Sequence, residues 1–443
     1  MMKPYSEYKP SGVQWLGEIP KGWLRLPLKY LTSSFVKDGP HETPIFLDVG
    51  IPFLSVDGIQ KNKLIFEGCR HISAEDHKIY SKKCKPVKGD VLLGKAASVG
   101  KVAFVDSDKD FNVWSPLAVI SPKSEVDGKY IFYSLQSKFL QSLCEIKSNS
   151  NTQKNLGMKD IDNLSFCEPS YDERESIVSF LDFETKKIDS LIYEKESFIK
   201  LLQEKREAMI SHTVTKGLND SVMMKPSGVE WIGDIPQHWE LRKLRYIGEC
   251  QNGINIGGDA FGSGYPFVSY GDVYNNKALP EKVKGLVEST IKDREIYSIQ
   301  AGDVLFTRTS ETINEIGFTS VCHKDMPDAV FAGFLIKFRP KDNTINPLFS
   351  EYYFQNEKLR AFFVKEMNLV TRASLSQELL KRMPVPLPPE NEQIEIAKYL
   401  SNKDKKINEL IKETKSSIEL LKEHRIALIS AAVTGKIDVR EVA

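Results

Sequence analysis

Apolar positions follow two rhythms along this chain, and each rhythm occurs twice. Residues 24–168 and 240–388 carry short apolar runs such as "IPFLSV" and "DVLLG", punctuated by Gly, Pro and Asn. That pattern predicts strands and loops with a few helices, one of them around "KYIFYSLQSKFLQSLCEI". From Tyr171 to Lys216, and from Glu390 to Thr434, there is neither Gly nor Pro. Each stretch predicts one helix of roughly 65–70 Å, at about 1.5 Å per residue. Pro169 and Pro389 stand just before the two stretches, and Gly217 and Gly435 just after, as helix punctuation requires.

Both helices carry heptads. Leu181, Ile188, Leu202 and Met209 form one seam, with Leu191, Phe198 and Ile199 widening it. Leu400, Ile407, Leu421 and Leu428 form the other, beside Leu410, Ile411 and Ile418. Lys195 and Thr414 interrupt the two seams at corresponding places, as a solvated gap or a polar register-setter. Pairing the helices with each other buries both stripes. An antiparallel pair would hold the mixed domains at opposite ends of a rod, whereas a parallel pair would crowd them together.

The doubling runs through the whole chain. "PSGVQWLGEIPKGWL" at 10–24 returns as "PSGVEWIGDIPQHWE" at 226–240, and "KGDVLLG" at 88–94 as "AGDVLFT" at 301–307. "NTQKNLGMKDIDNLSFCEPSYDERESIVSFL" at 151–181 returns as "VTRASLSQELLKRMPVPLPPENEQIEIAKYL" at 370–400. The spacing barely drifts, so the chain is a tandem duplication. Two copies are too few for a solenoid, and a fused pseudo-twofold pair is the natural arrangement. The repeated arms predict a structural role for Trp15, Trp23, Trp231 and Trp239, clamping domain to helix.

Composition adds limits. At 443 residues the chain is too long for one ordinary core, and 41% hydrophobic with 27% charged residues describes a soluble globular protein. With no long apolar run and no signal-like start, a cytoplasmic location is expected. Cys69, Cys84, Cys144, Cys167, Cys250 and Cys322 show no metal-ligand spacing and read as reduced thiols. A net charge of +1 argues against a solitary tight DNA binder, because phosphate neutralisation carries most of that affinity. It leaves room for a subunit that reads bases while a partner grips the backbone.

These features together resemble the specificity subunit of a type I restriction–modification system. The resemblance spans the full length. It rests on the paired "PSGVxWxGxIP…W" arms, the paired "GDVL" strands, and "PLPPENEQ…I" leading into a helix that closes on "LLKEHRIALISAAVTGKID". The first copy departs at its helix start, where "EPSYDERESI" replaces the proline-rich segment. The resemblance implies an α+β fold: two tandem mixed α/β target-recognition domains separated by two long helices that pair as an antiparallel coiled coil, a pseudo-twofold internal repeat. The expected divisions are an N-terminal arm (1–23), recognition domain 1 (24–168), spacer helix 1 (169–217), and a linker with the repeated arm (218–239). Recognition domain 2 (240–388), spacer helix 2 (389–435) and a tail (436–443) follow.

By the same resemblance, each domain reads one half of a bipartite, asymmetric site in double-stranded DNA. The helices set the spacing and dock two adenine-methyltransferase subunits, and motor-nuclease subunits complete the enzyme. S-adenosylmethionine, ATP and Mg belong to those partners. The chain itself is expected to be non-catalytic and to hold no cofactor. A related fused methyltransferase-nuclease system, or a coiled-coil scaffold that binds no DNA, would share much of this pattern.

Catalytic motifs point the same way. "NPLF" at Asn346–Phe349 has Leu348 where an adenine methyltransferase needs a second Pro, and reads as a helix start. "GKAASVGKV" at Gly94–Val102 has the wrong glycine spacing for a phosphate loop, with Val102 in place of Ser or Thr. Asp90 with Lys95 is a weak nuclease candidate. His41, His71, His77, His212, His238, His323 and His424 form no local ligand cluster.

Base readout needs Arg, Lys, Asn, Gln, Ser or Thr presented on loops. In the first copy the candidates are Lys95, Ser98 and Lys101, then Asn151, Thr152, Gln153 and Lys154. In the second they are Arg308, Thr309 and Thr312, then Thr371, Arg372 and Ser374, with Asn252 and Asn255 in "QNGINIGG" as further candidates. Thr152 aligns with Thr371 and Gln153 with Arg372. Two different half-sites require such positions, which keep their place and change their hydrogen-bonding pattern.

Overall fold

The computed structural model describes residues 3–14, 16–148, 154–310, 316–342, 344–359, 362–363 and 373–441. The chain divides into two compact units, Met1–Glu196 with Lys415–Ala443, and Ser197–Thr414. Each unit holds one arm, one mixed domain and a portion of both long helices.

The two mixed domains repeat the same two main sheets. In the first unit an antiparallel sheet runs Lys37–Asp38, Leu117–Ile120, Val91–Gly94, Val102–Phe104. In the second the order is Gly248–Asn252, Leu335–Pro340, Val304–Thr307, Thr319–Val321. The strand that "GDVL" opens is interior in both, and all four residues of Val91–Gly94 and of Val304–Thr307 are buried, which is why the segment reads as mostly apolar. A second, three-stranded sheet also recurs. Ile51–Leu54 lies between Asn112–Val113 and Arg70–Ile72, as Phe261–Val268 lies between Val330–Phe331 and Gly285–Val287. The segment expected to be one helix is two, Glu125–Gln136 and Lys138–Lys147. They break at Ser137, whose hydroxyl caps the second by accepting from Leu140 N.

The acid of each "GD" pair closes the turn before its strand. Asp90 accepts from Val87 N at 2.9 Å and Asp303 from Gln300 N at 2.8 Å. Asp303 also takes a two-pronged ion pair from Arg339, at 2.7 and 2.6 Å. Burial pushes the Asp90 carboxyl up. Lys95 makes its ion pair with Asp38 rather than Asp90, so the nuclease pairing does not form. "GKAASVGKV" is the turn of the hairpin Val91–Gly94/Val102–Phe104 with no helix after it, unlike a phosphate loop. Asn346 caps the helix Pro347–Phe354 through Leu348 N at 2.9 Å, as a helix start should.

The long helices span Tyr171–Lys216 and Glu390–Val433. Where the first departs from the proline-rich start, a capping box replaces it. Glu173 accepts from Ser170 N and Oγ, and Ser170 Oγ accepts from Glu173 N. At the second start, the buried Gln393 amide donates to Pro388 O and Thr344 O and accepts from Asn346 N.

Within each unit the helix segments run antiparallel. In the first, Ile177, Leu181 and Ile188 share a core with Leu428, Ile429 and Val433, and Arg425 pairs with Asp189 at 2.9 Å. In the second, Ile210 and Val214 share a core with Ile396 and Leu400, and Arg206 pairs with Asp404 at 2.9 Å. The heptad residues Leu181, Ile188, Leu202, Leu400, Ile407 and Leu428 are buried. The expected widening of the stripe is only partial. Ile418 is buried, but Leu191, Phe198 and Leu410 stay exposed, because a paired seam covers a narrower strip than a helix lying on a sheet. The Thr414 hydroxyl donates to Leu410 O at 2.7 Å, so its own helix satisfies it.

The arms are hairpins, Tyr8–Pro10 with Glu18–Pro20 and Met224–Pro226 with Asp234–Pro236. Trp23 and Trp239 are buried, and their indoles donate to Glu173 and Glu392 at the helix starts. These two tryptophans clamp as expected. Trp231 packs at the edge of the second core, and Trp15 lies outside the described residues.

Candidate nucleic-acid interface

Sheet register fixes which residues of the two domains correspond. Leu93 faces Ala118, which faces Asp38 across the sheet; Phe306 faces Ile336, which faces Asn252. Asp38 and Asn252 are therefore counterparts, and two residues beyond the paired Leu93 and Phe306 come Lys95 and Arg308. Gly39 and Gly253 correspond as well. A β-carbon on Gly39 would stand 1.7 Å from Val113 O, and one on Gly253 would stand 2.3 Å from Phe331 O, so no other residue fits this crossing. His41 and Asn255 follow two positions later in both copies.

One backbone bond joins the two expected reading loops in each domain. Leu156 N donates to Lys95 O at 2.7 Å, and Leu375 N donates to Arg308 O at 2.8 Å. Beside them, Ala96 bridges Asn155, and Thr309 pairs with Ser374. A third segment closes the face. Lys95 N donates to Pro116 O at 2.9 Å, and Arg308 N to Phe334 O at 3.0 Å. Both acceptors sit in equivalent tight turns, closed by Leu117 N to Trp114 O and by Leu335 N to Ala332 O, each at 2.9 Å. Segments far apart in sequence thus meet at the end of the same interior strand, twice.

The side chains on this face differ between copies. Lys95, expected as a reader, is only 7% exposed, and its ammonium lies 3.3 Å from Asp38. Lys83 also donates to Asp38 at 2.7 Å, and His41 Nε2 lies 3.2 Å from it. Burial would raise the Asp38 carboxyl, but the Lys83 hydrogen bond and the charges of Lys83 and Lys95 outweigh it and hold it below the usual range. Lys95 is committed inside the fold. Ser98 is half-buried in the hairpin turn, while Lys101 and Lys154 are exposed, Lys154 paired with Glu145 at 2.6 Å.

In the second copy Asn252 replaces the acid, so among the described residues Arg308 meets no carboxylate there. Its Nη1 donates to Gly333 O at 3.5 Å, and its Nε has no hydrogen-bond partner among the described residues. Asn255 is exposed and lies against Gly333, its Oδ1 2.0 Å from where a β-carbon on Gly333 would stand. Thr309 is half-buried and Ser374 exposed. Asn151, Thr152, Gln153, Thr312, Thr371 and Arg372 lie outside the described residues.

Sequence reasoning missed several members of the face. In the sequence His41 shows only as a histidine without a ligand cluster, although its imidazole is 69% exposed. Asn155 lies at the end of a polar run that gives no sign of its pairing with Ala96. Trp114 is half-buried with the Arg70 guanidinium 5.7 Å from its ring, and the same guanidinium lies 4.5 Å from Phe46. Only the register shows these positions.

The six cysteines carry free thiols. Among the described residues, no group of three or more His, Cys, Asp or Glu could hold a metal ion, and no helix is long and apolar enough to cross a membrane.

Comparison with known proteins agrees with this doubled arrangement. The chain is 25% identical over 361 residues to the type I restriction enzyme MjaVIII specificity subunit of Methanocaldococcus jannaschii, covering 80% of this chain and 77% of that one. The MjaX specificity subunit of the same organism is 32% identical over 189 residues, a match spanning 41% of this chain and 43% of the relative. Among solved structures, a chain from the complex assembly of the type I R-M system matches with TM-score 0.70 at 15% identity, covering 95% of this chain and 99% of that one. The HsdS subunit from Thermoanaerobacter tengcongensis matches with TM-score 0.52 at 16% identity, covering 95% and 98%. At these identities the structural likeness speaks for the fold alone. The type I restriction modification DNA specificity domain matches residues 45–197 and again 236–420, and the chain belongs to that family.

Proposed function

We propose that this chain is the DNA-reading subunit of a type I restriction–modification complex, each mixed domain reading one half of a bipartite site. One observation carries the reading. The same backbone bond, Leu156 N to Lys95 O and Leu375 N to Arg308 O, builds one three-segment face in each unit, and its counterpart positions carry different side chains. His41 against Asn255 and Pro116 against Phe334 keep the scaffold and change what it offers a base edge, while Asp38 against Asn252 changes the charge buried beneath it. A scaffold that bound only proteins has no need of that combination.

In this reading the chain contributes no catalytic group. Adenine-methyltransferase subunits dock on it and supply the S-adenosylmethionine chemistry, motor-nuclease subunits supply the ATP- and Mg-dependent steps, and the long helices set the gap between half-sites. Sequencing methylated adenines in cells that carry the chain and its partners tests the assignment. Substitutions at His41 should alter one half of the methylated site, and those at Asn255 and Arg308 the other. If all three leave the methylated sequence unchanged, the assigned face is wrong.

A further inference from the structure

Phe334 is 64% exposed, although Gly333 before it and Leu335 after it are buried. The exposure does not come from a loose chain. Phe334 O accepts from Arg308 N at 3.0 Å, and Leu335 N closes the turn onto Ala332 O at 2.9 Å, so the backbone is held on both sides of the ring. Burying a phenyl ring stabilises a fold, and this fold forgoes most of that gain at a fixed position. The neighbours are the two polar side chains best suited to base edges. Arg308 bonds the carbonyl of Gly333, and Asn255 lies against the same glycine. An apolar side chain among such groups has one natural target in the major groove, the C5-methyl group that only thymine carries.

We propose that Phe334 packs on the methyl group of a thymine in the second half-site and selects thymine at that position. The inference rests on the proposed function above and adds a specificity-determining residue to it. The counterpart in the first unit is Pro116, with Trp114 two residues earlier turned toward Arg70 instead, so the contact belongs to the second half-site alone.

The test uses the full chain assembled with its methyltransferase partner, and duplexes of the methylated site with each thymine replaced singly by deoxyuridine. At one position of the second half-site, wild-type binding should fall about fourfold, the worth of one buried methyl group. Phe334→Ala should bind the unmodified duplex at least fourfold more weakly and be indifferent to deoxyuridine at that position. Both proteins should respond alike to replacements in the first half-site. Phe334→Leu, which keeps apolar bulk, should retain part of the sensitivity.

The proposal falls if wild type tolerates every deoxyuridine in the second half-site, or if Phe334→Ala stays as sensitive as wild type. It also falls if Phe334→Ala weakens assembly with the partner and leaves the deoxyuridine profile intact, since the ring would then face protein. Arg308→Ala separates the two levels of inference. If it relaxes the second half-site while Phe334→Ala does not, only the thymine contact is wrong; if neither does, the face itself is wrong.

Discussion

The ring of Trp239 lies 3.2 Å from where a β-carbon would stand on Gly217, the residue that ends the first long helix. The same indole donates to Glu392 at the start of the second helix, at 2.9 Å. In the other unit Trp23 donates to Glu173 and lies 3.2 Å from the corresponding point on Gly435. Each tryptophan therefore ties the beginning of one long helix to the end of the other. The arms recur in the sequence because each antiparallel crossing needs its own tie.

That tie predicts a graded cost for adding a methyl group. Gly217 and Gly435 have φ of +81° and +69°, a left-handed conformation that costs any other residue about 1–2 kcal/mol. A β-carbon on Gly435 would also stand 2.4 Å from Pro20, whereas on Gly217 the nearest atom is at 3.2 Å. Gly217→Ala should therefore destabilise by about 1–2 kcal/mol, and Gly435→Ala by about 2–4 kcal/mol. Thermal unfolding of the two variants side by side checks the order. Equal melting temperatures would mean the Pro20 contact is looser than it looks.

Asp38 predicts a second effect. Its carboxylate neutralises Lys95, whose side chain is 9% exposed, and removing it would strand a buried ammonium. Asp38→Asn should destabilise by about 3 kcal/mol, and Lys95→Ala by less, since Lys83 still answers the acid. The folded carboxyl titrates below its unfolded value, so its stabilisation is complete above about pH 5. It is lost as pH falls through the lower folded value. Denaturation profiles of wild type and Asp38→Asn should diverge above that window and converge below it. Parallel profiles down to the lowest pH would contradict the assignment.

Much of this arrangement is legible in the sequence, because it is written in long-range periodicity. The absence of Gly and Pro over Tyr171–Lys216, the heptads, and the duplicated arms and strands each depend on spacing alone. The reading face is less legible, because three distant segments make it and no local pattern shows which meet. Lys95 reads as an exposed loop lysine until the register places Asp38 beside it. Phe334 hides in "VFAGFLIKF", which reads as one apolar strand, while the turn at Gly333 throws its ring outward. His41 and Asn255 become counterparts only once Gly39 and Gly253 are seen to cross beneath equivalent carbonyls.

Net charge makes a third prediction. With a formal charge of +1, the chain offers little phosphate neutralisation of its own. Alone it should bind site DNA weakly and with a shallow dependence on salt. Assembly with methyltransferase subunits should raise affinity and steepen the slope, each added phosphate contact contributing about −0.9 to it. Titrations at several salt concentrations, with and without the partner, measure both quantities. Equal slopes would place the backbone grip on this chain after all.

The last prediction sets Lys95 against Arg308, counterparts with opposite expected behaviour. Arg308 stands where, among the described residues, no carboxylate answers it, with its guanidinium on Gly333 O and Asn255 alongside. A bidentate arginine–guanine contact discriminates by about 1–3 kcal/mol. Arg308→Ala should therefore relax one base pair of the second half-site on the order of 10- to 100-fold and leave the first half-site untouched. Arg308→Lys should restore charge but not discrimination, because an ammonium lacks the planar fork. Lys95→Ala, by contrast, should change stability and not sequence, its ammonium being spent on Asp38. The readout is the distribution of methylated sites in cells carrying each variant. If Lys95→Ala shifts the first half-site as strongly as Arg308→Ala shifts the second, the ion pair with Asp38 opens on DNA, and both domains read with the same position.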